Sequence, residues 1–530
     1  MRVAMETPEA KHEENTTGGT EIKFSSVMRE FCDNTTAHGL GRIHFVNHWI
    51  RKVFWSLLFI GAVTMLCIQV HTLFDKYRKR PLTTLVTVKT ETSLEFPAVT
   101  FCNFNAMKNF TIQSGDKKLT DIVHQLQAQN SSKVPGNDTS EAVSESSNTE
   151  DIEWSQEDFQ DPEDLDTIYQ RGKEMSVFLA KEDLQTLTLL GHQFSDMVLS
   201  CTFRGMSCRN YTTWNWTSFW HYKYGNCFVF NGGQVNGVPV DILRSNNRGP
   251  SEGLNLEINI DQEEYIGQLT PQAGIRVDIS KPGEMPFPLE KGVSLAPGYA
   301  TMLGLRKIIK ERKDPFNTKR CLNSVDRDDN NLYTRIFNVT YSSTACRESC
   351  LAYNQFEICG CVEYRFPAEG LFNICSVTNI KTLKCLSRVQ NLYKNNRLNC
   401  TQSCPPPCRL EEFKISSSFA TWPSQNYEKY YQEIVLENYN RLLITKSGSH
   451  RKNVLKLQVF FEDLDVEVVS EQRSYELVNF VSDIGGQLGL WIGFSVLTLA
   501  EFLELIMLLC HLAVKKCFKK NGTSESYLPN

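Results

Sequence analysis

The chain has 530 residues, 41% of them hydrophobic and 22% charged, with a formal charge of -5 at pH 7. That length exceeds one ordinary hydrophobic core, and the composition excludes wholesale disorder, a collagen-like fibre and a densely membrane-embedded bundle. A charge of this size and sign leaves no basic footprint, and no Cys/His spacing matches a zinc finger, so nucleic acid is not an expected partner.

Residues 1–48 are mostly polar and read as a cytosolic N-terminal region, too long before the first apolar run for that run to be a cleaved signal. The predicted first transmembrane helix covers 49–70, within which VFWSLLFIGAVTMLCIQV carries no charge over eighteen positions. At ~1.5 Å per residue such a run crosses ~30 Å of hydrocarbon. Residues 71–477 form the predicted outer domain. A pore entrance and second transmembrane helix follow over 478–510, and 511–530 is read as a cytosolic tail. In the second apolar segment, LGLWIGFSVLTLAEFLELIMLL, Glu501 and Glu504 lie three apart on one helical face. Carboxylates within a span point to a bundle interior or a water-filled path rather than lipid.

Basic residues flank both spans and orient them poorly. The side is set by cysteine, since fourteen of the eighteen lie between the spans, an even number that fits an oxidising exterior. Sequons at Asn109, Asn130, Asn137, Asn210, Asn215, Asn338 and Asn399 agree. The expected topology is a multi-pass plasma-membrane protein in contact with membrane lipid, with both termini cytosolic and the middle extracellular and glycosylated.

Within the middle region, DIEWSQEDFQDPEDLD carries eight acidic side chains and no basic one and reads as a solvated insertion. LNLEINI and GIRVDIS alternate apolar and polar residues as strands do, and a further strand begins near Asn453. LGLRKIIKER and STACRESCLAYN are predicted to be helical. The domain is therefore expected to be mixed α/β. Cys346/Cys350 and Cys404/Cys408 have C-x3-C spacing, but ten later cysteines in an extracellular setting favour covalent staples over zinc. Spacing alone leaves 945 pairings of those ten open. No metal or cofactor is expected. Ser294 and Ser416 lack any nucleophile-elbow or metalloprotease context, so no enzyme is expected.

Read together, His38-Gly39, FPAVTFCN at 96–103, YGNCFVFN at 224–231, APGY at 296–299, the cysteine series and SDIGGQLGLWIGFS at 482–495 closely resemble the degenerin/epithelial sodium channel family, which includes acid-sensing and neuropeptide-gated channels. The resemblance runs from Ala37 to Glu504. It implies a hand-shaped, disulfide-rich ectodomain on two transmembrane helices per chain, assembled as a homotrimer or a heterotrimer with related subunits. It implies the pairs Cys102–Cys227, Cys201–Cys208, Cys321–Cys408, Cys346–Cys404, Cys350–Cys400, Cys359–Cys385 and Cys361–Cys375. It also implies sodium ions as the permeant species and block by amiloride-like compounds.

By the same resemblance Gly493, Phe494 and Ser495 are the selectivity filter, where backbone and hydroxyl oxygens replace part of the hydration shell of sodium. The family more often has a small residue where Phe494 stands. Ser482 matches the position at which bulk favours an open pore, and Asp483 an outer carboxylate that attracts cations. Gly485, Gly486 and Gly489 are expected to allow bending or close helix packing, Glu501 and Glu504 to extend the acidic path inward, and His38 and Gly39 to form a cytosolic gating element. His71 is followed by Thr72 and not by a second histidine as in strongly proton-gated relatives. The HGLGRI segment and the Ser/Asp/Glu-rich insertion look closer to invertebrate peptide-gated channels, so an extracellular neuropeptide or other small ligand is the expected stimulus, with proton-gated or constitutive current as alternatives. Outside the channel class, a noncatalytic receptor or adhesion protein would share the anchors but would not require the pore motif.

Overall fold

In the computed structural model, apart from isolated positions, the described residues are 48–110, 175–312, 331–438 and 450–521, with 236, 268, 368 and 369 excepted. They fall into two compact units, one formed by 1–83 and 473–530 and the other by 84–472.

The larger unit is built on two sheets. The strands of these two sheets, in chain order, are β1 Leu82–Thr90, β2 Ala98–Asn103, β3 Val198–Phe203, β4 Met206–Ser207, β5 Thr217–His221, β6 Gly225–Phe230, β7 Leu254–Asn259, β8 Ile275–Ser280, β9 Val293–Leu295, β10 Tyr299–Glu311, β11 Arg409–Thr421 and β12 Val454–Arg473, and two further pairs of two-residue strands lie beside them. The first sheet runs β11-β10-β12-β7-β3-β4, with β1 also paired to β12. The second runs β9-β8-β2-β6-β5. Alternation along β7 puts Leu254, Leu256 and Ile258 at 0% exposure, opposite Val459, Leu457 and Leu455 of β12. These side chains and Val99, Phe101, Phe228 and Phe230 of the second sheet share one core with Phe96 and Trp216. The Trp216 indole donates to the Cys208 carbonyl at 3.0 Å, so the largest buried ring keeps its polar edge satisfied.

LGLRKIIKER, expected as a helix, is strand up to Glu311, the end of β10. It pairs antiparallel with β11 and parallel with β12, placing Leu303 opposite Ser417 and Val459. Leu303, Leu305, Lys307 and Ile309 all turn inward at period two. The lysine in that inward row disguises the alternation; it is buried because its ammonium meets Glu411 at 2.8 Å.

Helices α2 Leu332–Phe337, α3 Ser343–Cys359 and α4 Ile380–Lys394 pack around a second core of Leu332, Leu351, Ala352, Val362 and Val389. α3, predicted from STACRESCLAYN, starts where the Ser342 hydroxyl accepts from the Ala345 amide and stops at Gly360, whose φ of 74° suits glycine. A further helix, α5 Gln425–Asn438, follows β11. The seven disulfides are the pairs that the family resemblance implies. Cys102–Cys227 joins directly opposed residues of β2 and β6. Three staples tie α3 to later chain, through Cys346–Cys404, Cys350–Cys400 and Cys359–Cys385. Each closes a loop of tens of residues, and cross-links of that span typically contribute about 2–4 kcal/mol.

Among the sequons, Asn210, Asn215, Asn338 and Asn399 are exposed, and Asn109 is half-buried. Asn130, Asn137, the acidic insertion and the pair His38-Gly39 lie outside the described residues.

The smaller unit contains α1 Trp49–Arg78, α6 Leu477–Ile492 and α7 Val496–Asn521. Trp49–Arg78 and Val496–Val514 are long and apolar enough to cross a membrane. α1 continues as helix beyond residue 70, the expected end of the first span, and reaches Arg78.

Candidate functional site

The second apolar segment is not one helix. α6 ends at Ile492 and α7 begins at Val496, so Gly493, Phe494 and Ser495 form a break inside the stretch expected to be continuous. The cause is local. Gly493 has φ 64° and ψ 26°, a left-handed conformation that L side chains adopt at a cost of ~1–2 kcal/mol. Its amide donates to the Gly489 carbonyl at 3.1 Å, and the Phe494 amide donates to the Leu488 carbonyl at 3.2 Å. The carbonyls of Leu490, Trp491 and Ile492 therefore lie beyond the last hydrogen bonds of α6, at its negative dipole end.

On the other side of the break, Ser495 caps α7. Its hydroxyl accepts from the Thr498 amide at 3.2 Å, while the Thr498 hydroxyl accepts from the Ser495 amide at 3.1 Å. This reciprocal arrangement satisfies two donors at a helix start. The Ser495 hydroxyl, expected to serve ions directly, also caps α7. Phe494 packs on Phe502 at 5.5 Å, and Phe502 packs on Phe31 at 4.9 Å. The large middle residue of the motif is thus held against α7 by aromatic contact.

Along α6, Ser482, Asp483, Gly485, Gly486, Gly489 and Leu490 are exposed. The three glycines lie within α6, which runs from Leu477 to Ile492. A side chain added at Gly485 or Gly486 would meet nothing within 4 Å in this chain. The Asp483 carboxylate accepts from the Tyr475 hydroxyl at 2.6 Å, and the Lys76 ammonium sits 4.5 Å above the Tyr475 ring. α1 packs on α6 through Tyr77 stacked on Phe480 at 4.7 Å and through the Trp491 indole, which donates to the Gln69 side-chain oxygen at 2.6 Å. On α7, Glu501 is half-buried and accepts from the Thr35 hydroxyl at 3.0 Å, whereas Glu504 is exposed.

The larger unit holds a separate set of perturbed groups that the sequence did not announce. Burial pushes the Glu284 carboxyl up to about 7, against the pull of Lys281 and Lys291 and with a further push from Glu411 and Asp278. Arg365 lies 2.6 Å from Glu363 and 3.0 Å from Glu348. Burial raises Glu348 in spite of that guanidinium. His192 is driven down to about 3 by burial, and its ring lies 3.1 Å from the Asn105 amide nitrogen. Among the described residues no cluster of three or more His, Cys, Asp or Glu could hold a metal ion.

Of the residues singled out from sequence, those at 482–495 gather on α6 and its C-terminal break. Gln69, Tyr475 and Thr498 escaped notice. The available signal for Gln69 was an amide within an otherwise apolar span, a feature that is costly in lipid and therefore informative.

A family model described as amiloride-sensitive sodium channel matches residues 31–505. Epithelial sodium channel subunit alpha of Neoceratodus forsteri is 27% identical, with 95% of this chain and 84% of that protein covered. Subunit beta of the same organism is 26% identical, with 92% and 83% covered. Acid-sensing ion channel 1C of Danio rerio is 28% identical, with 90% and 83% covered. The matched region takes in α1, both sheets, all seven disulfides and the break at 493–495. The chain therefore belongs to the amiloride-sensitive sodium channel family, the degenerin/epithelial sodium channel group its motifs resemble, and is a membrane channel protein and not an enzyme.

Proposed function

We propose that the chain is a subunit of a trimeric, sodium-selective, amiloride-sensitive channel of the plasma membrane, with both termini cytosolic and the disulfide-rich unit outside. The observation that carries this reading is the break at Gly493–Ser495 inside an apolar segment of a family member. In hydrocarbon, non-helical backbone is tolerated only where protein or water surrounds it. Three copies of the C-terminal end of α6 would direct carbonyls and negative dipole ends at one axis, suited to a partly dehydrated cation. The exposed small-residue face of α6, with Asp483 near its outer end, then lines the approach, and Glu501 and Glu504 hold cations further in.

An extracellular peptide or other small ligand opens the channel in this reading, consistent with Thr72 standing where strongly proton-gated relatives carry a second histidine. A second reading, proton gating, is favoured by Glu284, whose carboxyl is pushed up to about 7 and so changes charge near physiological pH. Whole-cell recording from cells expressing the chain alone separates these. Sodium, lithium and potassium are exchanged while external pH is stepped and a neuropeptide panel is applied, with and without amiloride. A sodium current evoked by a peptide at constant pH supports the first reading. Current evoked by acid alone supports the second.

A further inference from the structure

We propose that Gln69 of α1 is a positioning residue for the ion filter, acting through Trp491; this rests on the reading of 493–495 as the filter. Gln69 lies in the first span, and its amide oxygen takes the Trp491 indole hydrogen at 2.6 Å. Trp491 stands in the last turn of α6, two residues before the left-handed Gly493. It is the middle one of the three residues whose carbonyls extend past the last helical hydrogen bonds. A bond at that point fixes the rotation of the final turn about the helix axis, and with it the aim of those carbonyls. One turn earlier on the same face, Gln487 has a buried amide oxygen with no hydrogen-bond partner among the described residues. The Trp491 indole is bonded across the helix pair to Gln69 and not to this oxygen of its own helix.

In a bilayer such a bond has no water to replace it, and its loss corresponds to roughly three- to tenfold in an equilibrium. Full-length chain confirmed at the cell surface is compared as Gln69→Leu, Trp491→Phe, the double variant and Gln69→Glu, which keeps an acceptor oxygen at the same reach. Each of the first two is expected to lower the sodium-to-potassium permeability ratio about three- to tenfold. The double variant should do no more than either single one, and Gln69→Glu should retain the original ratio. Unchanged ratios, or effects that multiply in the double variant, would overturn the proposal. If the chain passes no current alone, thermal midpoints of the same variants in lipid nanodiscs replace the ratio. A non-additive loss there upholds the tether, and additive losses overturn it. Gly493→Ala and Ser495→Ala are run in parallel. If they leave selectivity unchanged, the filter reading fails. If they alter it while the Gln69 and Trp491 variants do not, only the tether fails.

Discussion

Replacing Gly493 with alanine tests whether the break in the second span is dictated by backbone conformation. The residue sits at φ 64° and ψ 26°, where a Cβ meets the following carbonyl oxygen. Holding alanine there costs ~1–2 kcal/mol, enough to shift a broken-versus-continuous helix equilibrium by about 5- to 30-fold toward continuity. A continuous helix would draw the free carbonyls of Leu490, Trp491 and Ile492 into ordinary i to i+4 hydrogen bonds and withdraw them from any ion. Asparagine tolerates the left-handed region better than other side chains, so Gly493→Asn should lose much less. Biionic reversal potentials for sodium against potassium, measured on variants matched for surface density, supply the readout. The expected order of selectivity is wild type, then asparagine, then alanine. An alanine variant as selective as wild type, or an asparagine variant as impaired as alanine, would refute the backbone explanation.

Enlarging Ser482 to a bulky side chain should raise resting current if, as proposed, the exposed face it shares with Gly485 and Gly486 packs against other copies around the pore; unchanged resting current at equal surface expression would count against it. Removing the Cys350–Cys400 staple by paired serine substitution should reduce surface delivery and lower the thermal midpoint of the protein, with a cost of about 2–5 kcal/mol. Glu284 has its folded pKa raised from 4.5 to about 7, so the folded state holds a proton that the unfolded state releases earlier. Its contribution is not unfavourable below pH 4.5 and becomes increasingly destabilising as pH rises through 7. Glu284→Gln should remove that part of the decline, as read by calorimetry between pH 4.5 and 7.5. Thr498→Val removes the hydroxyl that the Ser495 amide needs and should destabilise the start of α7 by about 0.5–2 kcal/mol, visible as an altered permeability ratio with Thr498→Ser restoring it.

How much of this was legible in the sequence depends on whether the signal was local. α1 could be read from eighteen uncharged residues, and β7 and β8 from strict alternation, because each needs only its own side chains. The cysteine count pointed to staples, but the pairing came only through the family resemblance, since 945 arrangements satisfy the same ten residues. β10 was misread because its inward row contains Lys307, whose partner Glu411 is about a hundred residues away in the chain. The motif proposed as the filter was singled out by resemblance, yet the break was hidden by hydropathy that stays apolar from Leu488 to Leu499. Left-handed Gly493, the Ser495–Thr498 cap and the Gln69–Trp491 bond depend on backbone angles and on contact between helices. Neither is encoded in a local pattern. The raised carboxyl of Glu284 likewise arises from burial by segments distant in sequence.

The most direct measurement of the central claim is the reversal potential of the current carried by this chain at the cell surface, taken as external sodium is replaced by potassium and amiloride is then added. A reversal potential that follows the sodium gradient, with the current blocked by amiloride and the selectivity weakened in Gly493→Ala, is the predicted result. An evoked current that does not distinguish sodium from potassium, ignores amiloride and is indifferent to substitution at both Gly493 and Ser495 would contradict it.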